Sequence, residues 1–239
     1  MYLLLDANIV LGYYLPQSLD FAKARERIQT IIDSVRTKQS SHFLYVPNFC
    51  IAEIFSNLAK YSFGRYNRHV VKNGGTIDTR VYQSLCEQFQ KDIHNARLLY
   101  QLELNRYHVL AVDLVAPIDH YFKIRRTQKH ATPSGTFDQL IVAMSIHLAH
   151  VHGQSNVAIL TADSRLTDLV TKCRTPIPPR TVQKLKLARA QNVAGKAFGP
   201  DIFPEAIHLG KCSEATLKRA LGAWPLPVGR VRDVYRYDG

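Results

Sequence analysis

The chain has 239 residues, 46% of them apolar, with 31 Lys and Arg against 19 Asp and Glu and a formal net charge of +12. This is enough apolar content for one large domain, or one domain with an extension, and no apolar run reaches the roughly 18 residues needed to span a bilayer. The charge exceeds what solubility asks of a domain this size and implies a polyanionic partner, nucleic acid before an anionic membrane surface.

Residues 2–5 form a short continuous apolar run ending in Asp6, the pattern of a strand buried on both faces. Ile9 to Tyr14 reads as helical. A second helix over 21–37 places Phe21, Ala24, Ile28, Ile31, Ile32 and Val35 on one stripe. Phe43 to Val46 is a second strand stopped by Pro47, and Asn48 is the expected N-cap of a helix reaching about Tyr61. A polar stretch around 62–80 with Asn73-Gly74-Gly75 reads as a loop or insertion.

Helical periodicity returns over 79–105, followed by an expected third strand at Val109 to Val112 and a helix over 117–126. Thr136 with Gln139 three residues later reads as a capping box, so Asp138 falls in the first turn of a helix reaching about His150. Val157 to Leu160 is a fourth strand, Leu166 to Cys173 a short helix, 206–209 a fifth strand and 213–221 a final helix. The alternation predicts an α/β protein with a central parallel sheet of four to five strands covered by helices. The expected organisation is one domain over 1–221, with a basic insertion at 174–200 that contains no acid, and a basic tail over 222–239.

Four acids stand at the ends of strongly apolar runs: Asp6, Glu53, Asp138 and Asp163. A lone buried carboxylate costs several kcal/mol unless something neutralises it. Each also has a plain structural use: Asp6 as a helix cap, Glu53 as a solvated helix residue, Asp138 as a first-turn acid, Asp163 as a turn residue. Their recurrence at matching topological places favours a shared role. In open parallel sheets ligands bind outside the carboxyl ends of the strands, where Asp6 and Asp163 fall. Clustered carboxylates repel, and a hard divalent cation, Mg²⁺ or Mn²⁺, suits an all-oxygen site.

The segments Leu5-Asp6-Ala7-Asn8, Ile51-Ala52-Glu53-Ile54, Phe137-Asp138-Gln139-Leu140-Ile141-Val142-Ala143 and Leu160-Thr161-Ala162-Asp163 resemble, in order, the acidic motifs of PIN domains. The resemblance implies a three-layer α/β/α fold and metal-dependent endoribonuclease activity, yielding 5′-phosphate and 3′-hydroxyl ends. It implies that Asp6, Glu53 and Asp138 hold the metal, that Asp163 completes the site or holds a second ion, and that Asn8 and Thr161 support the acids. A toxin role with an antitoxin-type protein inhibitor, and a homodimer, are family-level expectations. The alternative is a PIN-fold module that binds RNA or a ribonucleoprotein without cutting.

Lys123, Arg125, Arg126 and Lys129 precede the Asp138 helix and would track phosphates beside the metal; Arg180, Lys184, Lys186 and Arg189 in the acid-free stretch are further RNA contacts. The cluster His147, His150 and His152 lacks a finger-type spacing, so these read as helix-surface residues rather than zinc ligands. The N-terminus has neither a basic n-region nor a small-residue cleavage site, so no signal peptide is expected. Cys50, Cys86, Cys173 and Cys212 form no CxxC pair and read as reduced thiols of a cytoplasmic protein.

Overall fold

The computed structural model describes residues 1–94, 98–125, 134–232 and 234–237. The chain begins β1 (Tyr2–Leu5), α1 (Ala7–Tyr14), α2 (Ala22–Arg36), β2 (Phe43–Pro47) and α3 (Asn48–Leu58). Wide π-type turns over Ala59–Arg65 lead into α4 (Tyr66–Lys72), then α5 (Arg80–Ile93), β3 (Leu99–Leu102), α6 (Arg106–Arg125) and α7 (Thr136–His152). The remainder is β4 (Val157–Thr161), α8 (Ser164–Cys173), α9 (Pro179–Lys184), α10 (Gln191–Ala194), β5 (Glu205–His208) and α11 (Glu214–Leu221). The strands form one all-parallel sheet in the order β3-β2-β1-β4-β5, flanked by helices, as the alternation of elements predicts. Among the described residues no helix is long and apolar enough to cross a membrane, and the four cysteines are free.

The third strand differs from the sequence reading. Val109 to Val112 lies inside the 20-residue helix α6, and the strand is Leu99–Leu102, which the sequence reading assigned to a helix over 79–105. Periodicity cannot separate a four-residue apolar run in a strand from one in a helix. β3 pairs in register with β2, Leu44 opposite Leu99 and Val46 opposite Gln101. As the end strand of the sheet it leaves Gln101 exposed, which dilutes its apolar signal. Pro47 also belongs to β2 rather than ending it, opposite Leu102. The presumed loop at 62–80 is partly helical, carrying the wide turns and α4.

The chain comprises two compact units. The first comprises Met1–Leu4 and Glu103–His208. Its core is the wholly buried strand β4 with Ala111, Leu114, Val115 and Ile118 of α6 and Ile141 to Met144 of α7. Two histidines join the helices: His108 Nε2 lies 2.8 Å from His147 Nδ1. His152 stacks on Tyr2 with ring centroids 3.7 Å apart. His147 and His152 are thus packing residues, not the surface residues that the sequence reading made of them.

The second unit comprises Leu5–Leu102 and Leu209–Gly239. Two of its buried acids, Asp92 and Asp33, are each met by a cation and a hydroxyl. Asp92 of α5 accepts from Tyr14 Oη at 2.5 Å and from Arg36 Nη1 at 2.9 Å, with Gln88 Nε2 at 3.2 Å. Asp33 of α2 accepts from Tyr13 Oη at 2.5 Å and from Arg236 Nη2 at 2.6 and 2.7 Å. The C-terminal tail is therefore fastened to α1 and α2, and Tyr237 N–H donates to Tyr14 O at 3.0 Å beside it.

Burial, then the neighbouring His147, press the pKa of His108 down to about 4 from its ordinary value of 6.5. Burial is the larger cause that brings His42 to about 4 as well, and neither of its ring nitrogens has a hydrogen-bond partner. Well above pH 6.5 these histidines are neutral folded and unfolded, so they make no pH dependence there. As pH falls from 6.5 toward 4 the unfolded chain takes up protons that the folded chain does not, and stability falls. Denaturant titrations should show this decline, and His108→Gln should make it shallower while His42 maintains the remainder.

Candidate active site

In the first unit two of the predicted acids are brought together. Asp163 follows the buried strand β4 and is the N-cap of α8, where its Oδ1 accepts from Arg165 N–H at 2.7 Å. Its own N–H donates to Thr161 Oγ1 at 2.9 Å, so the fully buried Thr161 fixes the turn that aims the carboxylate. The Arg165 guanidinium donates to Asp163 Oδ2 through Nη2 at 2.8 Å and Nε at 3.1 Å. Burial raises the Asp163 pKa, but the bonds from the Arg165 side chain and backbone outweigh it and hold the carboxyl below its usual range.

Asp138 reaches the same place from α7. The N-cap is Gly135 rather than Thr136, which is the first helical residue, so the capping box is shifted by one position. Asp138 is then the third helical residue and accepts from Gly135 N–H at 2.9 Å. Its pKa is raised, first by burial against the opposing Gly135 bond, then by the charge of Asp163, with Arg165 opposing and Asp119 adding. Two half-buried carboxylates therefore repel one another here, and a cation relieves that repulsion.

A third acid of this unit escaped the sequence reading. Asp119, in the middle of α6, is 1% exposed. It accepts from Lys172 Nζ at 2.7 Å, from Ser134 Oγ at 2.6 Å and from Ser134 N–H at 3.1 Å. Lys172 also meets Asp168 at 2.9 Å. Burial pushes Asp119 up, and the Lys172 and Ser134 bonds bring it below its usual value. By holding Ser134 it anchors the backbone just before the Gly135 cap and Asp138. The available signal was an acid next to Ile118 and one helical turn beyond Val115, on the apolar stripe of a helix that was read partly as a strand.

The other predicted acids lie in the second unit. Asp6 is buried at 9% exposure and its side chain does not cap α1; its Oδ2 accepts from Asn8 Nδ2 at 2.5 Å, the supporting bond expected of Asn8. Glu53 is exposed in the second turn of α3, a helix packed against α1. Asn48, the predicted N-cap, is the first helical residue, and Pro47 takes the cap position. Among the described residues no group of three or more His, Cys, Asp or Glu side chains is placed to hold a metal ion.

Of the predicted RNA contacts, Arg125 is exposed and folds over Tyr121, its Nη1 2.8 Å from the phenol oxygen, while Lys123 is half-buried. Arg126 and Lys129 lie outside the described residues. Arg180, Lys184 and Lys186 are exposed on and just after α9. Arg189 is ion-paired with Asp113 of α6 at 2.7 Å, and Lys196 with Asp201 at 2.8 Å, so tertiary partners offset part of the charge of the acid-free stretch.

No family model matches the sequence, and no curated protein matches it. Among solved structures, VapBC2 from Rickettsia felis bound to a DNA fragment from their promoter is similar at 12% identity and a TM-score of 0.40. That match covers 71% of this chain and 93% of the other, and at this level it carries no argument about activity.

Asp119→Ala should leave Lys172 with the exposed Asp168 alone and free Ser134, lowering stability by about 3 kcal/mol. The shift in the denaturant midpoint measures it. A loss no larger than that of Asp168→Ala would show that Asp119 is not the principal partner.

Proposed function

We propose that the chain is a metal-dependent endoribonuclease in which Asp138 and Asp163 are working carboxylates and Asp6 and Glu53 are the further members of the acid set. The observation that carries this reading is the repelling pair Asp138 and Asp163, each fixed at the end of a rigid element, within the ordered motifs that resemble PIN domains. An Mg²⁺ or Mn²⁺ ion that keeps several waters needs only one or two carboxylates plus substrate phosphate oxygens, and an oxygen-only pair of this kind fits it. Such an ion, when bound, supplies a polarised phosphoryl oxygen and a water of lowered pKa.

The protein's own part is orientation. Thr161 and the α8 N-terminus aim Asp163, and the Gly135 cap with Asp119 behind it aims Asp138. Exposed Arg125, Arg180, Lys184 and Lys186 offer phosphate contacts. Hydrolysis forms a bond from water oxygen to phosphorus as the bond to the 3′ oxygen breaks, leaving a 5′-phosphate and a 3′-hydroxyl. An antitoxin-type inhibitor and a homodimer belong to the same proposal.

One observation favours the second reading, an RNA-binding module that does not cut. The Arg165 clamp already neutralises Asp163, doing electrostatically what a cation would do. The two readings separate on end-labelled RNA with Mn²⁺ or Mg²⁺. Cleavage should be lost in EDTA and fall about 100-fold or more in Asp138→Asn. Cleavage unaffected by both would refute the nuclease site. Arg165→Ala should raise Mn²⁺ affinity if Asp163 is a ligand, and leave no site-dependent Mn²⁺ binding if the chain is only a binding module.

A further inference from the structure

The second unit contains a cavity of about 750 Å³ that the carboxylate site does not use. That volume is within the range of small-molecule sites, roughly 300–1,000 Å³. Its wall is aromatic and basic: Tyr61, Tyr66 and Tyr237 contribute rings, Arg65 and His69 contribute cationic or donor groups, and Ser18 lies at the edge. The wide turns over Ala59–Arg65 build one side, and irregular turns of this type inside helices occur frequently at functional sites. Arg65 and His69, four residues apart, share a helix face, and the Arg65 guanidinium carbon lies 5.4 Å from the Tyr61 ring centroid.

Another part of the wall is supplied by the chain's own C-terminal tail. Tyr237 meets Tyr66 edge-on with ring centroids 6.2 Å apart. It is held there by its N–H bond to Tyr14 O and by the adjacent Arg236 pair with Asp33. Among the described residues Asp20 is the one acid in the lining, and it can accept from hydroxyl or amino groups but repels an anion.

We propose that this cavity binds one nucleotide unit. The planar base stacks among the tyrosines, the phosphate lies against Arg65 and His69, and Asp20 takes sugar hydroxyls or a base amine. Stacking on aromatic side chains is worth about 1–3 kcal/mol per base, and a guanidinium is the side chain best matched to a phosphate. A free nucleotide and a nucleotide within an RNA strand present this same chemistry.

Calorimetric titrations of the full chain in EDTA, where no cleavage occurs, distinguish the sources and leave the nuclease reading untouched. The probes are adenosine 5′-monophosphate, adenosine, inorganic phosphate and a single-stranded adenylate hexamer. Adenosine 5′-monophosphate should bind saturably and at least 10-fold more tightly than adenosine or phosphate. Arg65→Gln should weaken it about 10-fold, the loss of one charge-assisted contact. A hexamer that binds still more tightly and is displaced by the monophosphate assigns the site to a strand; equal or weaker hexamer binding assigns it to free nucleotide. His69→Gln, at an exposed lining position set against the phosphate, should also weaken the monophosphate, and so reads the site even if Arg65→Gln fails to fold. No saturable binding to the wild type, or binding unchanged in His69→Gln and in a folded Arg65→Gln, would overturn the proposal.

Discussion

A carboxylate removed from water must be met by a cation, by hydrogen-bond donors, or by both, and this requirement organises the molecule. In the second unit Asp92 gathers Tyr14, Arg36 and Gln88, tying α1, α2 and α5 to one another. Asp33 gathers Tyr13 and Arg236 and so draws in the last residues of the chain. In the first unit Asp119 gathers Lys172 and Ser134 from sequence positions 53 and 15 residues away. Removing any one of these acids leaves buried donors behind, so the penalty exceeds the loss of a single contact.

Asp138 and Asp163 satisfy the same requirement less completely. Asp163 caps α8 and Asp138 lies in the first turn of α7, positions the helix dipole favours, and Arg165 clamps Asp163. Asp138 nonetheless keeps a raised pKa because burial and the Asp163 charge act on it together. Asp33, Asp92 and Asp119 have side-chain cations or hydroxyls of their own, as Asp163 has Arg165, and the contrast sets Asp138 apart from them. Asp6 resembles the structural group in burial, and it accepts from the neutral amide of Asn8.

The order of strands and helices was largely legible, since alternating apolar runs and amphipathic stripes follow from the local periods of strand and helix. β3 was not, because Leu99–Leu102 is short and half-exposed and owes its strand state to pairing with β2. Val109 to Val112 was misread for the converse reason: its β-branched residues favour a strand, but the flanking turns of α6 and packing along α7 hold it helical. Asp163 at a strand end and Asp138 in a first turn were readable from chain order. Asp119 was not, since an acid in mid-helix has no local signature until its partners, distant in sequence, are placed around it.

By itself the sequence determined the α/β class, the strand-end and helix-start positions of the acids, and the excess of positive charge, because each depends on neighbouring residues or on simple counting. Tertiary structure alone decided which charges are neutralised. The acid-free stretch gained Asp113 as a partner for Arg189, and the basic tail became the wall of a tyrosine-lined cavity through Arg236 and Tyr237. Ion pairing and cavity formation bring together residues that are far apart in the chain, and no local pattern encodes such meetings.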